Sequence, residues 1–438
     1  MELKNISLTT QNNLCCGCGI CVGICPKQCV HWRKNDHGLY EPLVDTTACI
    51  KCELCRNVCP GLEHQYPEQT DQEAVLGDVL FSCNAWSRIP QIRRVSASGG
   101  VVTTLVWQLL QKGDYDTAFL VDSYDYHQQL VTRPCTAQDM DNPPDFLPYP
   151  KSRYLPVSHE NAVSYIKHNR KKKVVIVGTS CAVRGILSVI EQLHLPRENY
   201  LLIGLFCDRV FTYNVVDYYS QPSFSGGKAL TELHFKNKES GGWPGNMKFF
   251  FSDGSISYQD KSERTKVKDY FMPERCLYCI DKLNVCADIS TGDNYTNEHV
   301  SQLGSNSVII RTQLGLKVWE KHQGFLEYYK VSPGQIQKAQ FIDWRLNHLC
   351  YGKLKEQKIL RQSGQKITLN KGVRTKRNEN EYYGRWHHAM QMIHIGEQYS
   401  CTPQRFWKKV KKITKKKNPA FKIVLKMYFF IVRHLTKI

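Results

Sequence analysis

The 438-residue chain reads as a small cysteine-rich α+β unit followed by a larger α/β domain with a mixed sheet, closing on a basic amphipathic helical tail. Three observations predict this. One four-cysteine spacing occurs twice within the first 60 residues, apolar runs of strand length alternate with helical periodicity from about residue 81 onward, and residues 405–438 hold twelve Lys/Arg and no Asp or Glu. The expected division is 1–63 for the cysteine-rich unit, 64–80 for a linker, 81–363 for the α/β domain, 364–404 for a charged linker and 405–438 for the tail.

The first unit reads Cys15-x2-Cys18-x2-Cys21-x3-Cys25-Pro26 and then, 34 residues on, Cys49-x2-Cys52-x2-Cys55-x3-Cys59-Pro60. A cubane needs four thiolates, and a Cys-x2-Cys-x2-Cys loop wraps three corners while the Cys-Pro thiol serves the other cluster. That pattern predicts one 4Fe-4S cluster on Cys15, Cys18, Cys21 and Cys59, and a second on Cys49, Cys52, Cys55 and Cys25. A hairpin around Asp36-x-Gly38 is expected between the two blocks. The unit resembles a bacterial two-cluster ferredoxin over residues 10–62. Disulfides are disfavoured because Met1 to Thr10 has no apolar signal-peptide core. Zinc is disfavoured because every Cys-x2-Cys pair is extended by a third Cys and a Cys-Pro, twice. Cys16 and Cys29 fall outside the pattern.

Hydrophobic content of 42% and charged content of 23% are those of an ordinary globular protein. Nineteen cysteines in such a chain therefore point to metal and redox use in a reducing, cytoplasmic setting. The net charge of +19 belongs largely to the tail, which carries +12 of it.

In the second domain, Ser96-Ala-Ser98-Gly99-Gly100 runs into Val101, Val102, Leu105, Val106, Leu109 and Leu110, an amphipathic helix closed by Gly113 with Ser98 as its expected N-cap. Its start offers free N–H groups and a positive helix end to a phosphate. A strand is expected at Thr117 to Asp122. After a Pro-rich excursion ending in Ser152-Arg153-Tyr154 comes a βαβ unit: a strand at Lys173 to Val177, the turn Gly178-Thr179-Ser180-Cys181, a helix through Gln192 and a strand at Tyr200 to Phe206 ending in Cys207. Cys181 and Cys207 thus share the carboxyl edge of a parallel sheet, where open α/β sheets bind ligands. A strand-rich stretch from Thr231 to Ser257 turns at Asp253-Gly254, and Cys276-x2-Cys279, Cys286, Asp288 and Asp293 follow in one run.

The order of these motifs, from Ser-x-Ser-Gly-Gly through Gly-Thr-Ser-Cys and Phe-x-x-Lys with Gly-Trp to Cys-x2-Cys and Ala-Asp-Ile-Ser-x-Gly-Asp, resembles the coenzyme F(420) hydrogenase/dehydrogenase beta-subunit family over roughly residues 1–330. The resemblance implies an iron–sulfur flavoprotein oxidoreductase whose FAD exchanges electrons between 4Fe-4S clusters and a hydride carrier or reducible substrate. An electron-transfer subunit docking on a redox partner protein is the alternative. FAD is expected at Ser96, Ser98, Gly99, Gly100, Ser152, Arg153, Tyr154, Asp288 and Asp293. A third 4Fe-4S cluster is expected on Cys181, Cys207, Cys276 and Cys279, with Cys286 as a substitute ligand or a bystander, and no acid–base residue is named. Family members usually carry Gly-Thr-Pro-Cys where this chain has Gly178-Thr179-Ser180-Cys181. Cys83, Cys135, Cys350 and Cys401 are read as structural.

In the tail, Lys422, Lys426, Arg433 and Lys437 fall on one arc of a helix whose other face is apolar, behind the basic run Lys408 to Lys417. This predicts an interfacial anchor on an anionic membrane surface, peripheral on the cytoplasmic side. Nucleic acid is not expected as a partner, because the basic residues are interleaved with long apolar ones.

Overall fold

The computed structural model describes residues 4–62, 73–121, 125–140, 151–349 and 379–415, with Tyr351, Leu354, Lys355 and Lys358 between the last two segments. Its N-terminal unit has short helices at Ser7–Gln11, Ile20–Ile24 and Leu54–Asn57 and a hairpin of β1 (Val30–Lys34) and β2 (Tyr40–Val44), paired from Val30↔Val44 to Lys34↔Tyr40. The hairpin turn closes on Asn35, whose side-chain oxygen accepts from the His37 N–H (3.1 Å) and the Leu39 N–H (3.0 Å).

This unit is not set apart from the rest of the chain. Ile20 and Ile24 are buried in one core with Ala162, Val163 and Ile166 of the helix Glu160–His168 and Val183 and Ile186 of the helix Ser180–Gln192. The approach is so close that a Cβ on Gly23 would lie 2.6 Å from the Glu160 carbonyl oxygen. Residues 73–80, expected to be linker, include a short helix at Glu73–Leu76 whose Val75 is buried against Leu283 and Ile309.

The larger domain is built on a nine-stranded mixed sheet. Its strands are β3 (Phe81–Ser87), β4 (Thr117–Val121), β5 (Leu130–Cys135), β6 (Val157–Ser158), β7 (Val174–Thr179), β8 (Tyr200–Leu205), β12 (Ile289–Asp293), β13 (Asn306–Ile310) and β14 (Leu326–Lys330), in the spatial order β14-β3-β13-β12-β8-β7-β4-β5-β6. The run β12-β8-β7-β4 is parallel, and β13, β3 and β14 extend it antiparallel. Strand periodicity divides the side chains cleanly. Val174, Ile176, Tyr200 and Leu202 enter the core shared with the N-terminal unit, while Val175, Leu201 and Ile203 enter the core under the helix Val101–Gln111. A separate antiparallel sheet of β9 (Leu230–Asn237), β10 (Asn246–Phe251) and β11 (Ile256–Gln259) packs Phe235 and Phe249 with Tyr218 and Tyr219.

The C-terminal part departs most from expectation. Residues 379–399, read as linker, form the helix Glu379–Tyr399, which sends Trp386 and Ile393 into the first core and Ile395 into the aromatic one. The helix Pro403–Lys415 follows, and its Phe406, fully buried, stacks on Phe271 at 5.7 Å between ring centroids. The leading part of the basic tail is thus docked on the protein's own core. The stripe Lys422, Lys426, Arg433 and Lys437, like Cys350, lies outside the described residues, among which no helix is long and apolar enough to cross a membrane.

Candidate redox site

At the carboxyl edge of the parallel strands a cavity of about 380 Å³ opens. It is lined by the Ser96–Gly100 turn, by Ser152, Arg153 and Tyr154, by Lys236 and Asp293, and by Cys181, Cys207, Cys276 and Cys279.

The turn is held from three directions. Gly100, at φ +84°, caps the helix Val101–Gln111 in the left-handed region, where a Cβ would also crowd Ile92 at 3.0 Å. Ser98, expected as N-cap, instead donates to the Ser305 carbonyl (2.8 Å). The cap is a backbone conformation with no capping side chain of its own, and of the first-turn N–H groups that of Val101 donates to Asn306 Oδ1 (3.4 Å). Lys238 reaches under the turn and donates to the carbonyls of Arg93 (2.6 Å), Ser98 (2.8 Å) and Leu303 (2.6 Å). Burial, reinforced by Lys151, Lys236 and Arg93, pulls the Lys238 ammonium down to about 7. Ser96 Oγ is buried without a hydrogen-bond partner among the described residues, and its residue lines the cavity. Gly99 stands behind the wall, packed on the Ala85 carbonyl and Asn306.

Across the cavity, Arg153 Nη1 donates to the Lys151 carbonyl (2.7 Å), and burial pulls the Lys151 ammonium down to about 8. Asp293 at the end of β12 pairs with buried Lys236 and accepts from Trp243 Nε1 (3.2 Å) and the Tyr295 hydroxyl (3.1 Å). Burial raises this carboxyl, but the Lys236 ammonium more than offsets that and holds it below the ordinary range. The cationic lining of Lys151, Arg153 and Lys236 suits an anionic ligand. Lys238 belongs to the Phe-x-x-Lys motif that carries the resemblance, but neither it nor Lys236 is assigned a role there; both are buried, which a strand-like sequence rich in lysine does not announce.

Asp288 is not brought to the cavity. It sits at the opposite end of β12, fully buried, paired with Arg197 (2.8 Å) and accepting from the Leu202 N–H (2.8 Å) and the Thr312 hydroxyl (2.6 Å). All of its contacts are structural, so Asp288→Ala is expected to lower unfolding stability by about 3 kcal/mol in a denaturant titration, by stranding these donors. The ligand content of the folded fraction should stay unchanged.

The cysteines gather into groups. Cys15, Cys18, Cys21 and Cys59 are electrostatic neighbours, as are Cys25, Cys49, Cys52 and Cys55, and as are Cys181, Cys207, Cys276 and Cys279; the groups adjoin, for Cys181 also acts on Cys15 and Cys18, and Cys55 on Cys21. No described cysteine is in a disulfide. Burial pushes Cys15 up to about 12 and both Cys55 and Cys276 to about 11, so these groups become thiolates only with cationic charge beside them, which a metal centre brings. Among the described residues no three His, Cys, Asp or Glu side chains converge on a single-ion position. Cys286 lies away from the third group, beside Arg184, Asp281 and Arg311. Cys29 is 3.5 Å from Cys25, and Cys16 bridges Cys18 and Cys181, two contacts that spacing alone did not reveal. Cys83 and Cys135 are core residues, whereas Cys401, read as structural, is exposed.

An α/β sheet with thiol groups at its carboxyl edge, beside a cationic cleft, places the chain among electron-transferring oxidoreductases. Two segments match the family described as coenzyme F420 hydrogenase/dehydrogenase, beta subunit: its N-terminal part over residues 83–162 and its C terminus over residues 171–334. Together these cover more than half of the chain, which belongs to this family. It is 23% identical over 328 residues to a subunit of the F(420)H(2) dehydrogenase of Methanosarcina mazei, a match covering 72% of this chain and 84% of the relative. It is also 23% identical over 325 residues to a coenzyme F420-dependent sulfite reductase of Methanocaldococcus jannaschii, spanning 70% of this chain but only 46% of that protein. An uncharacterized ferredoxin of the same organism is 33% identical over 55 residues, 13% of this chain and 70% of the ferredoxin. Among solved structures, a chain of the F420-reducing [NiFe] hydrogenase complex from Methanosarcina barkeri aligns with a TM-score of 0.47 at 19% identity, covering 69% of this chain and 98% of that one.

Proposed function

We propose that this protein is an iron–sulfur flavoprotein that passes electrons between three 4Fe-4S centres and FAD, and thence to or from a hydride carrier. The centres are assigned to Cys15, Cys18, Cys21 and Cys59 (centre I), to Cys25, Cys49, Cys52 and Cys55 (centre II), and to Cys181, Cys207, Cys276 and Cys279 (centre III). The observation that carries the reading is the cavity that holds both the Ser96–Gly100 turn and the four thiols of centre III. Its volume falls within the range of roughly 300–1,000 Å³ typical of small-molecule sites. FAD bound there would exchange a pair of electrons as hydride on one side and single electrons on the other. The protein's own residues bind and orient: the helix start and Ser96 receive the pyrophosphate, Lys151, Arg153 and Lys236 balance its charge, and Asp293 fixes Lys236. The names of the relatives make coenzyme F420 the first hydride carrier to try.

Anaerobically purified protein assayed for iron, acid-labile sulfide and released flavin tests this, with about twelve irons and one FAD per chain expected. Stoichiometric zinc, or iron without flavin, would overturn it. The pH dependence has a definite sign. An anion beside Lys151 favours its ammonium form, so FAD binding takes up a proton. Affinity should therefore be flat at pH well below 8 and fall as pH rises through about 8, where this group loses its proton, by up to about tenfold per pH unit, in a flavin-fluorescence titration. An affinity that rises with pH would exclude this arrangement.

A further inference from the structure

Arg275 stands between two of these thiol groups. It sits in the short turn Glu274–Tyr278, one residue before Cys276 of centre III, and is only 7% exposed. Its Nη2 crosses to the N-terminal unit and donates to the carbonyl of Pro60 (3.2 Å), the residue after Cys59 of centre I. Its Nη1 is buried with no hydrogen-bond partner, and among the described residues Arg275 meets no carboxylate. The neighbouring cations differ in this respect. Arg345 donates to the Cys279 carbonyl but is paired with Asp208 at 2.9 Å, and Arg184 faces Asp281 at 3.7 Å. The guanidinium of Arg275 acts on Cys59 from one side and on Cys181 and Cys279 from the other. Cys16, bridging Cys18 and Cys181, shows how closely the two groups approach at this seam.

An uncompensated buried cation is costly unless negative charge faces it. Thiolate-bound clusters are anionic, and reduction makes each of them more so. We propose that Arg275 is a positioning residue that centres I and III share: its charge holds both reduction potentials up together, and its bond to Pro60 keeps them in register for electron transfer. The proposal rests on the three-centre reading above.

The experiment uses the full chain, anaerobically loaded, with Arg275→Met and Arg275→Lys beside the unaltered protein. Each is assayed for iron and then titrated potentiometrically with EPR detection. Wild-type iron decides the three-centre reading independently of any variant, and too little iron for a third centre would end both ideas. With that stoichiometry established, Arg275→Met should move the midpoints of centres I and III to more negative potential while leaving centre II, to which none of the Arg275 contacts described above runs, in place, because a nearby cation stabilises the reduced form. Arg275→Lys, which keeps the charge, should restore both toward wild type. Iron lost from the Met variant alone would likewise support the role of the charge. Unmoved midpoints, an equal shift of all three centres, or a Lys variant that behaves like Met in potential or iron content would each overturn the proposal and leave Arg275 a packing residue.

Discussion

Replacing Cys276 and Cys279 together by serine should remove about four irons per chain, the content of one cubane, and leave about eight in the N-terminal unit. The two residues bracket a tight turn held by backbone groups that serine keeps: the Cys276 N–H bonds to the Pro273 carbonyl, the Cys279 N–H to that of Cys276, and the Cys279 carbonyl accepts from Arg345. Serine preserves that backbone pattern and nearly the same volume, so the expected loss is chemical and not a collapse of the fold. Because Cys207 and Cys181 remain, a partial cluster of fewer irons is the intermediate result to look for by EPR. Iron unchanged within error would show that these four thiols bind nothing.

Gly100→Glu is expected to strip the flavin while sparing the iron. The new carboxylate would occupy the helix start where a pyrophosphate is to sit, and two like charges about 4 Å apart at an effective dielectric near 20 repel by on the order of 4 kcal/mol, roughly a thousandfold in affinity. Part of any effect would come from backbone strain, since Gly100 is at φ +84°. Gly100→Ala isolates that part, with an expected cost of about 1–3 kcal/mol in stability and flavin retained in the folded fraction. Full flavin content in the Glu variant, measured by absorbance after denaturation, would move the ligand elsewhere.

What the sequence made legible and what it hid have physical reasons. The βαβ unit was readable because Val174 to Thr179 and Tyr200 to Leu205 are continuous apolar runs, as strands buried on both faces must be, and the helix between them ends at Gln192 as expected. That the eight N-terminal cysteines come together was readable because local spacing alone fixes a thiol loop. The docking of that unit was not. Ile20 and Ile24 look like the private core of a small domain, and only tertiary structure shows them spent on the helices Glu160–His168 and Ser180–Gln192. The helix Glu379–Tyr399 was hidden for a related reason. It is gripped from two sides, so Trp386 and Ile393 face one core and Ile395 another, and no single apolar stripe marks it. Asp288 and Asp293 share one motif, yet they sit at opposite ends of one strand, and only the second reaches the cavity.

The helix Glu379–Tyr399 has a bearing on how the protein is made. Its Met390, Ile393, His394 and Glu397 close one side of a cavity of about 420 Å³ whose other walls include Cys15 and His37, and Glu397 ties down His37 at 2.7 Å. A segment that leaves the ribosome early is therefore enclosed by one that leaves it more than 300 residues later. The partly exposed loop bearing Cys15 thus acquires this wall only once the later helix has folded down against it.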